Sequence, residues 1–457
     1  MSSTLKPHAV VRNDSVGTVV GTSINGALSK PASLHDNDNE NDHDHGEEVP
    51  DTVLLNASPP TFPDGGLRAW FVVCGTVCTT FSTFGFVNAW GVFQAYYETH
   101  MLKGVSTSAI AWIGSMQYAL VFLPAILVGR LFDLGWFKLP FAVGSVGLVL
   151  STFLIAQCTE YWHFVLAQGL LVGISCGLCF GPVIGLVGHW FQKRRGLALA
   201  MTALGSSIGG TVIPIVARQL IPRVGFPWTM RIIGFILMFT LGFANLALKR
   251  RIPAKNMAGG LFNLKAFKNP AFTIYCFSTV IAFLGMYTLL TFIDVGAIAI
   301  GIPEDFSFYL VSIANAGSGF GRLTTAFIVD KTGPVNIIVP MTVLAAIVTY
   351  VWPMVQTKEG LIAIAALYGF TSAAYVATFQ MPLYDLGDIE DVGRRAGMVM
   401  TFAAMGAISG PPISGAIHKA TGGFSVVGYY AGSMMLLSCV FMLATRHLVL
   451  KKFWGKF

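Results

Sequence analysis

The sequence predicts an all-α membrane protein, with twelve transmembrane helices arranged as two pseudo-symmetric halves of six. Three observations predict it. Of the 457 residues, 54% are hydrophobic and only 11% charged, where a soluble domain carries about 25% charged residues. Apolar stretches of about 20 residues or more recur along the chain, each long enough to cross a hydrocarbon core of about 30 Å. The second half also echoes the first at an offset of about 200 residues.

Residues 1–63 come first and are polar and poor in aromatics, with the run "HDNDNENDHDHGEE" from His35 to Glu48. Such a segment buries too little apolar surface to fold, so a disordered acidic tail is expected. His35, His43 and His45 read as part of a solvated acidic run, and no dedicated metal site is expected. Sequons occur at Asn13 and Asn56. With no apolar leader in the tail, the first span is expected to direct insertion itself.

The spans then fall at about 69–95, 108–129, 138–157, 162–188, 197–219 and 228–248, and at about 271–296, 306–329, 335–356, 360–382, 396–417 and 425–446. This gives an N-terminal half over 64–248, a C-terminal half over 271–446 and a basic tail over 447–457. Between the halves lies a basic linker, 249–270, reading "KRRIPAKNMAGGLFNLKAFKNP". Nine of the 22 acids precede residue 52, leaving 26 bases against 13 acids thereafter. The bases concentrate in the even-numbered connections and the C-terminal tail, among them Lys193, Arg194, Arg195, Lys249, Arg250, Arg251, Arg394 and Arg395. By the positive-inside rule both termini are expected in the cytoplasm, with the chain in the plasma membrane. The basic surplus thus matches orientation and anionic lipid; no nucleic-acid motif or patch accompanies it. The seven cysteines fall within spans, without metal-ligand spacing, and read as small apolar side chains.

The halves repeat one another. "RRGLALAMTALGSSIGG" from Arg194 returns as "RRAGMVMTFAAMGAISG" from Arg394, and "GRLFDLG" (129–135) returns as "AFIVDKTG" (326–333), setting Asp133 opposite Asp330. An internal duplication of this kind places a substrate site near the bilayer midplane between the halves.

These features resemble the major facilitator superfamily, and within it the monocarboxylate-porter branch, especially its fungal members. The resemblance runs from about residue 63 to the C-terminus. It rests on "PDGGLRAW" entering span 1, "GVF" near its end, and "GISCGLCFGPVIGLVGHWFQKRRGLALAMTALGSSIGG" through spans 4 and 5. It implies secondary transport of a small organic monocarboxylate or related anion by alternating access, with protons as a candidate coupling ion and a monomeric transport unit. In the branch's animal members a lysine late in span 1 contacts the substrate carboxylate; here that position is Asn88. An aspartate one turn before the span 8 arginine, implicated there in proton coupling, is replaced by Ser318, whereas the arginine is kept as Arg322.

Arg322 stands eight residues before Asp330, about 12 Å along a helix from the end of span 8. A charge at that depth costs about 2.5–3.5 kcal/mol on insertion scales and faces a cavity or a partner. Asn315, Ser318, Arg322 and Thr325 recur at steps of three and four, so one helix face is polar. A guanidinium there either grips a substrate anion through paired hydrogen bonds or braces backbone carbonyls of a neighbouring span. Asn88, Asn315 and Ser318 join Arg322 as candidate substrate contacts, Asn88 reading equally as an interhelical hydrogen bond between packed spans. Asp294, late in span 7, is either the proton-coupling carboxylate or an exposed carboxylate at a loop edge. Asp133 and Asp330, with Arg130, Lys331, Arg194 and Arg394 nearby, are expected as cytoplasmic gate and helix-end partners. Gly173 and Gly177 in span 4 and Gly205 and Gly209 in span 5 repeat every four residues, the spacing of close helix packing. Tyr287, Tyr368 and Tyr375 are either cavity-lining or packing residues.

No Ser/His/Asp grouping, phosphate-binding loop or cofactor motif is present, so the chain reads as no enzyme and needs no cofactor. Two other functions fit the same scaffold: an efflux pump for an acidic secondary metabolite, and a non-transporting nutrient sensor signalling through its tail.

Overall fold

The computed structural model describes residues 62–253, 260–307, 309–388, 391–452 and 455–457. The acidic tail up to residue 61, with His35, His43, His45, Asn13 and Asn56, and linker residues 254–259 lie outside the described residues. Among the described residues, ten helical stretches are long and apolar enough to cross a membrane: α1 (Leu67–Met101), α2 (Trp112–Asp133), α3 (Lys138–Ile155), α4 (Tyr161–Trp190), Arg195–Ala247, α7 (Pro270–Ala299), α9 (Pro334–Met354), α10 (Lys358–Tyr384), α11 (Val392–Thr421) and α12 (Ser425–Leu450). The fifth stretch is two helices, α5 (195–224) and α6 (226–247), because Gly225 adopts φ 78° and breaks the run. Glycine alone takes that conformation without a Cβ penalty. One more helix, α8 (Tyr309–Thr332), completes the set; Asn315, Ser318, Arg322 and Asp330 make it too polar for a composition test. The fold is therefore all-helical with twelve spans.

The outer surface is apolar in the way a bilayer requires: Phe239, Leu246, Phe320 and Phe327 are 69–78% exposed. Inside, small residues set the helix spacing. A Cβ on Gly205 would collide with the Val77 carbonyl of α1, and one on Gly209 would lie 2.5 Å from the Phe81 carbonyl and 2.7 Å from Gly85 Cα. Gly173 and Gly177 meet α2 in the same manner, at Leu120 and Gln117. Hydroxyls close the α1–α5 contact, with Thr80 donating to the Thr202 carbonyl at 2.5 Å.

Several helices are interrupted within their spans, α2 at Leu123–Pro124 and α4 at Gly181–Pro182 among them, and the interruptions of α1 and α7 correspond. α1 leaves helical geometry at Thr83 (φ −83°, ψ −80°) and turns again at Asn88. Thr79 and Thr83 each bond the carbonyl four residues back, at 2.9 and 2.8 Å, the contact by which threonine bends helices. In the other half α7 breaks at Tyr287, propped by Tyr368, whose hydroxyl donates to the Met286 carbonyl. Broken helices are tolerated at this depth where they face protein or line a cavity.

Candidate functional site

Arg322 is 5% exposed and lies in the seam between the halves. Its Nη1 donates to the Ala203 carbonyl and, at 2.5 Å, to Ser206 Oγ, both on α5. Nε is buried without a hydrogen-bond partner among the described residues. In this conformation the guanidinium thus braces the opposite half through neutral groups, and no carboxylate among the described residues neutralises it.

The other polar residues of the seam assemble around it. Asn315 Nδ2 donates to Val311 of its own helix at 3.1 Å and to the Gly210 carbonyl of α5 at 3.5 Å. Gly210 is tightly enclosed: a Cβ there would sit 3.2 Å from both Asn315 and Asn88, which would have to give by a few tenths of an ångström. Asn88 Oδ1 accepts from Tyr118 of α2 at 3.1 Å. Across the seam the Tyr118 and Tyr287 rings stand 5.8 Å apart, and Tyr287 is the titratable neighbour of Arg322. Ser318 is buried one turn before Arg322. The structure thus brings together Arg322, Asn88, Asn315 and Tyr287, and adds Ser206, Gly210 and Tyr118.

Asp294 stays apart. Seven residues beyond Tyr287, it is about 10 Å further along α7, and no hydrogen bond or ion pair joins it to Arg322 among the described residues. It is half-buried, with Oδ1 buried and without a partner among the described residues.

At the basic end of the bundle two carboxylates cross between the halves. Asp133 of α2 accepts from the amides of Gly393 (3.2 Å) and Arg394 (2.8 Å) at the start of α11. Asp330 of α8 accepts from the amides of Gly196 (2.7 Å) and Leu197 (2.9 Å) at the start of α5. Each caps an opposing helix N-terminus, where unpaired amides and the helix dipole favour a negative charge. Both carboxylates thus meet helix ends of the opposite half, through backbone amides. The Arg394 guanidinium turns instead to Asp391 at 2.5 Å, and Arg195 lies over the Tyr384 ring at 3.9 Å. Arg130 is buried one turn before Asp133. A further cap had no expected role: Asp64, of "PDGGLRAW", accepts from the amides of Gln192, Lys193 and Arg194 at 2.6–3.2 Å.

The arrangement can hold an anion at mid-depth and tie the two halves at one end. It carries no grouping for bond-breaking chemistry, and among the described residues no cluster of His, Cys, Asp or Glu could hold a metal.

Known proteins match this architecture. The Major Facilitator Superfamily model matches residues 72–358 and 275–453. The MFS transporter asaE of Aspergillus flavus is 35% identical over 392 residues, covering 85% of this chain and 89% of that protein. The aspyridones efflux protein apdF of Emericella nidulans is 36% identical over 381 residues, covering 83% of this chain and 78% of that protein. Among solved structures, the human organic anion transporter MFSD10 superposes with a TM-score of 0.67 at 15% identity, over 83% of this chain and 100% of that one, a likeness of fold. The relatives are fungal transporters and do not single out the monocarboxylate-porter branch. The chain belongs to the major facilitator superfamily and is a multi-pass membrane transporter, not an enzyme.

Proposed function

We propose that this transporter exports a small organic anion, an acidic secondary metabolite, by alternating access about the seam that holds Arg322. The observation that carries this reading is the Arg322 guanidinium itself: permanently charged, 5% exposed, and held only by neutral partners on α5. A charge so placed is stabilised by a ligand that brings a counter-charge. Similarity to a relative named as an efflux protein supports the outward direction. A small monocarboxylate fits less well, because the positions that would complete its site hold Asn88 and Ser318.

In this reading Asn88, Asn315 and Ser318 supply neutral contacts, and the basic end faces the cytoplasm. Asp133, Asp330 and Arg130 belong to the gate there. Asp294, with a buried unpartnered oxygen, is the proton carrier if export consumes a proton gradient. The transport unit is a single chain in contact with lipid.

The test is deletion of the chain from its host, followed by mass spectrometry of cells and medium. The reading predicts that an organic acid is retained in the cells and depleted outside. Restored export by Asp294→Asn with an unaltered pH profile would remove that residue from coupling. Loss of uptake, with no metabolite retained, would overturn the export reading.

A further inference from the structure

The seam carries an aromatic feature that anion binding alone does not require. Tyr118 and Phe122 on α2 face Tyr287 and Phe283 on α7. The Tyr118–Tyr287 and Phe122–Phe283 centroids are both 5.8 Å apart. The helices run antiparallel, so these are two successive rungs, one helical turn or about 6 Å apart. Phe283 also packs against Tyr287 at 5.6 Å and Phe379 at 5.6 Å, which continues the wall into α10. Each rung has one ring in each half, set at 49° in the first and 72° in the second, so any motion that parts the halves here separates the two rings of a pair and frees ring surface on both sides. Beside the upper rung, Tyr287 neighbours Arg322, whose Nε is buried and unpartnered among the described residues.

We propose that the ligand of this site is a planar, conjugated organic anion of at least two fused rings, held between the Tyr118/Phe122 and Tyr287/Phe283 faces with its anionic oxygen on Arg322. The proposal rests on the reading of the seam as the transport site. Its chemistry follows from the lining. Apolar walls with a few placed polar groups select ligand shape, and aromatic faces reward a flat π-system through stacking beyond simple area burial. Two rungs about 6 Å apart match a fused bicycle better than a single ring. The guanidinium provides two parallel donors for a carboxylate, or one for a phenolate or enolate. Asn88 and Tyr118 form the polar margin, joined by their 3.1 Å hydrogen bond. An aliphatic acid of equal charge would satisfy Arg322 but leave the ring faces unused.

The test uses the purified full chain in nanodiscs and two probes with one carbon skeleton and one charge: 2-naphthoate and decahydro-2-naphthoate. Equilibrium binding should favour the planar acid by about tenfold, the scale of a stacking contribution. Tyr118→Phe should keep that preference and Tyr118→Leu should erase it, with Tyr287→Leu as the second variant should the first misfold. Arg322→Gln should weaken both acids together. Equal affinity for the two acids, or no binding of 2-naphthoate to the folded wild-type chain, would overturn the proposal. The two readings fail separately. Selective naphthoate binding in a chain whose deletion retains no metabolite keeps the ligand class and ends the export reading, whereas retention of a saturated, non-planar acid does the reverse.

Discussion

Two of the seams that join the halves are equivalent by internal repetition yet built from different chemistry. Along α5 and α8 the contacts are polar and evenly spaced. Asp330 meets Gly196 and Leu197, Arg322 meets Ala203 and Ser206, Asn315 meets Gly210, and the Arg218 guanidinium lies 4.9 Å over the Tyr309 ring. As residue numbers fall on one helix they rise on the other, the pattern of an antiparallel pair in constant register. Along α2 and α11 the polar tie is concentrated at the basic end, at Asp133. Beyond it the helices touch through backbone: a Cβ on Gly129 would strike the Gly393 carbonyl, and one on Gly397 would strike that of Ala125. Thr401 reaches Leu123 at 3.5 Å. One seam therefore carries a guanidinium at mid-depth, and the other closes there through small residues, with its buried charged groups gathered at the basic end. The duplication supplied two copies of a scaffold, and the cation entered one of them.

The difference can be broken most severely at the glycine seam. Gly397→Leu inserts a branched side chain where α11 meets the Ala125 carbonyl and Ile126 Cα. Overpacking of that kind costs about 1–3 kcal/mol or more. The expected outcome is loss of monodisperse protein on gel filtration, or a chain that stays open at the basic end; wild-type behaviour would show that α2 and α11 are not in backbone contact.

The end ties sharpen the comparison at smaller cost. Asp133→Asn and Asp330→Asn each keep the size of the cap but remove its charge, a change of about 1 kcal/mol and so about fivefold in local opening. Hydrogen exchange should quicken at amides 393–394 in the first variant and at 196–197 in the second, each without the other. Equal acceleration of both sites in either variant would mean that the basic end opens as one unit.

Much of this was legible in the sequence because the bilayer limits the options. Twelve apolar stretches, a repeat and one charge in an apolar helix fix the spans, the halves and Arg322. The polar face of α8 follows from steps of three and four, so Asn315 and Ser318 could be named with it. What escaped depends on register between helices. Tyr118 and Ser206 look like ordinary span residues until α2 is set against α7 and α5 against α8. Helix breaks at Asn88 and Tyr287 escaped for a related reason, since neither carries a proline to announce it. The ties at the basic end were half legible: Asp133 and Asp330 were found by repetition, but the groups they meet are backbone amides, which leave no mark in side-chain composition. The resemblance to monocarboxylate porters identified the superfamily, which the family match shows, while Asn88 and Ser318 stand where that branch's animal members carry charged residues.

The central claim is that the polar seam serves transport through Arg322. It is tested most directly by export from cells expressing the wild-type chain, Arg322→Lys or Arg322→Gln at equal membrane abundance, scoring the acid that deletion causes cells to retain. Losing a buried charge-assisted contact worth about 2–3 kcal/mol should lower export by about 30- to 150-fold in Arg322→Gln, with partial activity in Arg322→Lys. Export by Arg322→Gln at the wild-type rate would contradict the account and leave Arg322 as the brace between α5 and α8 alone.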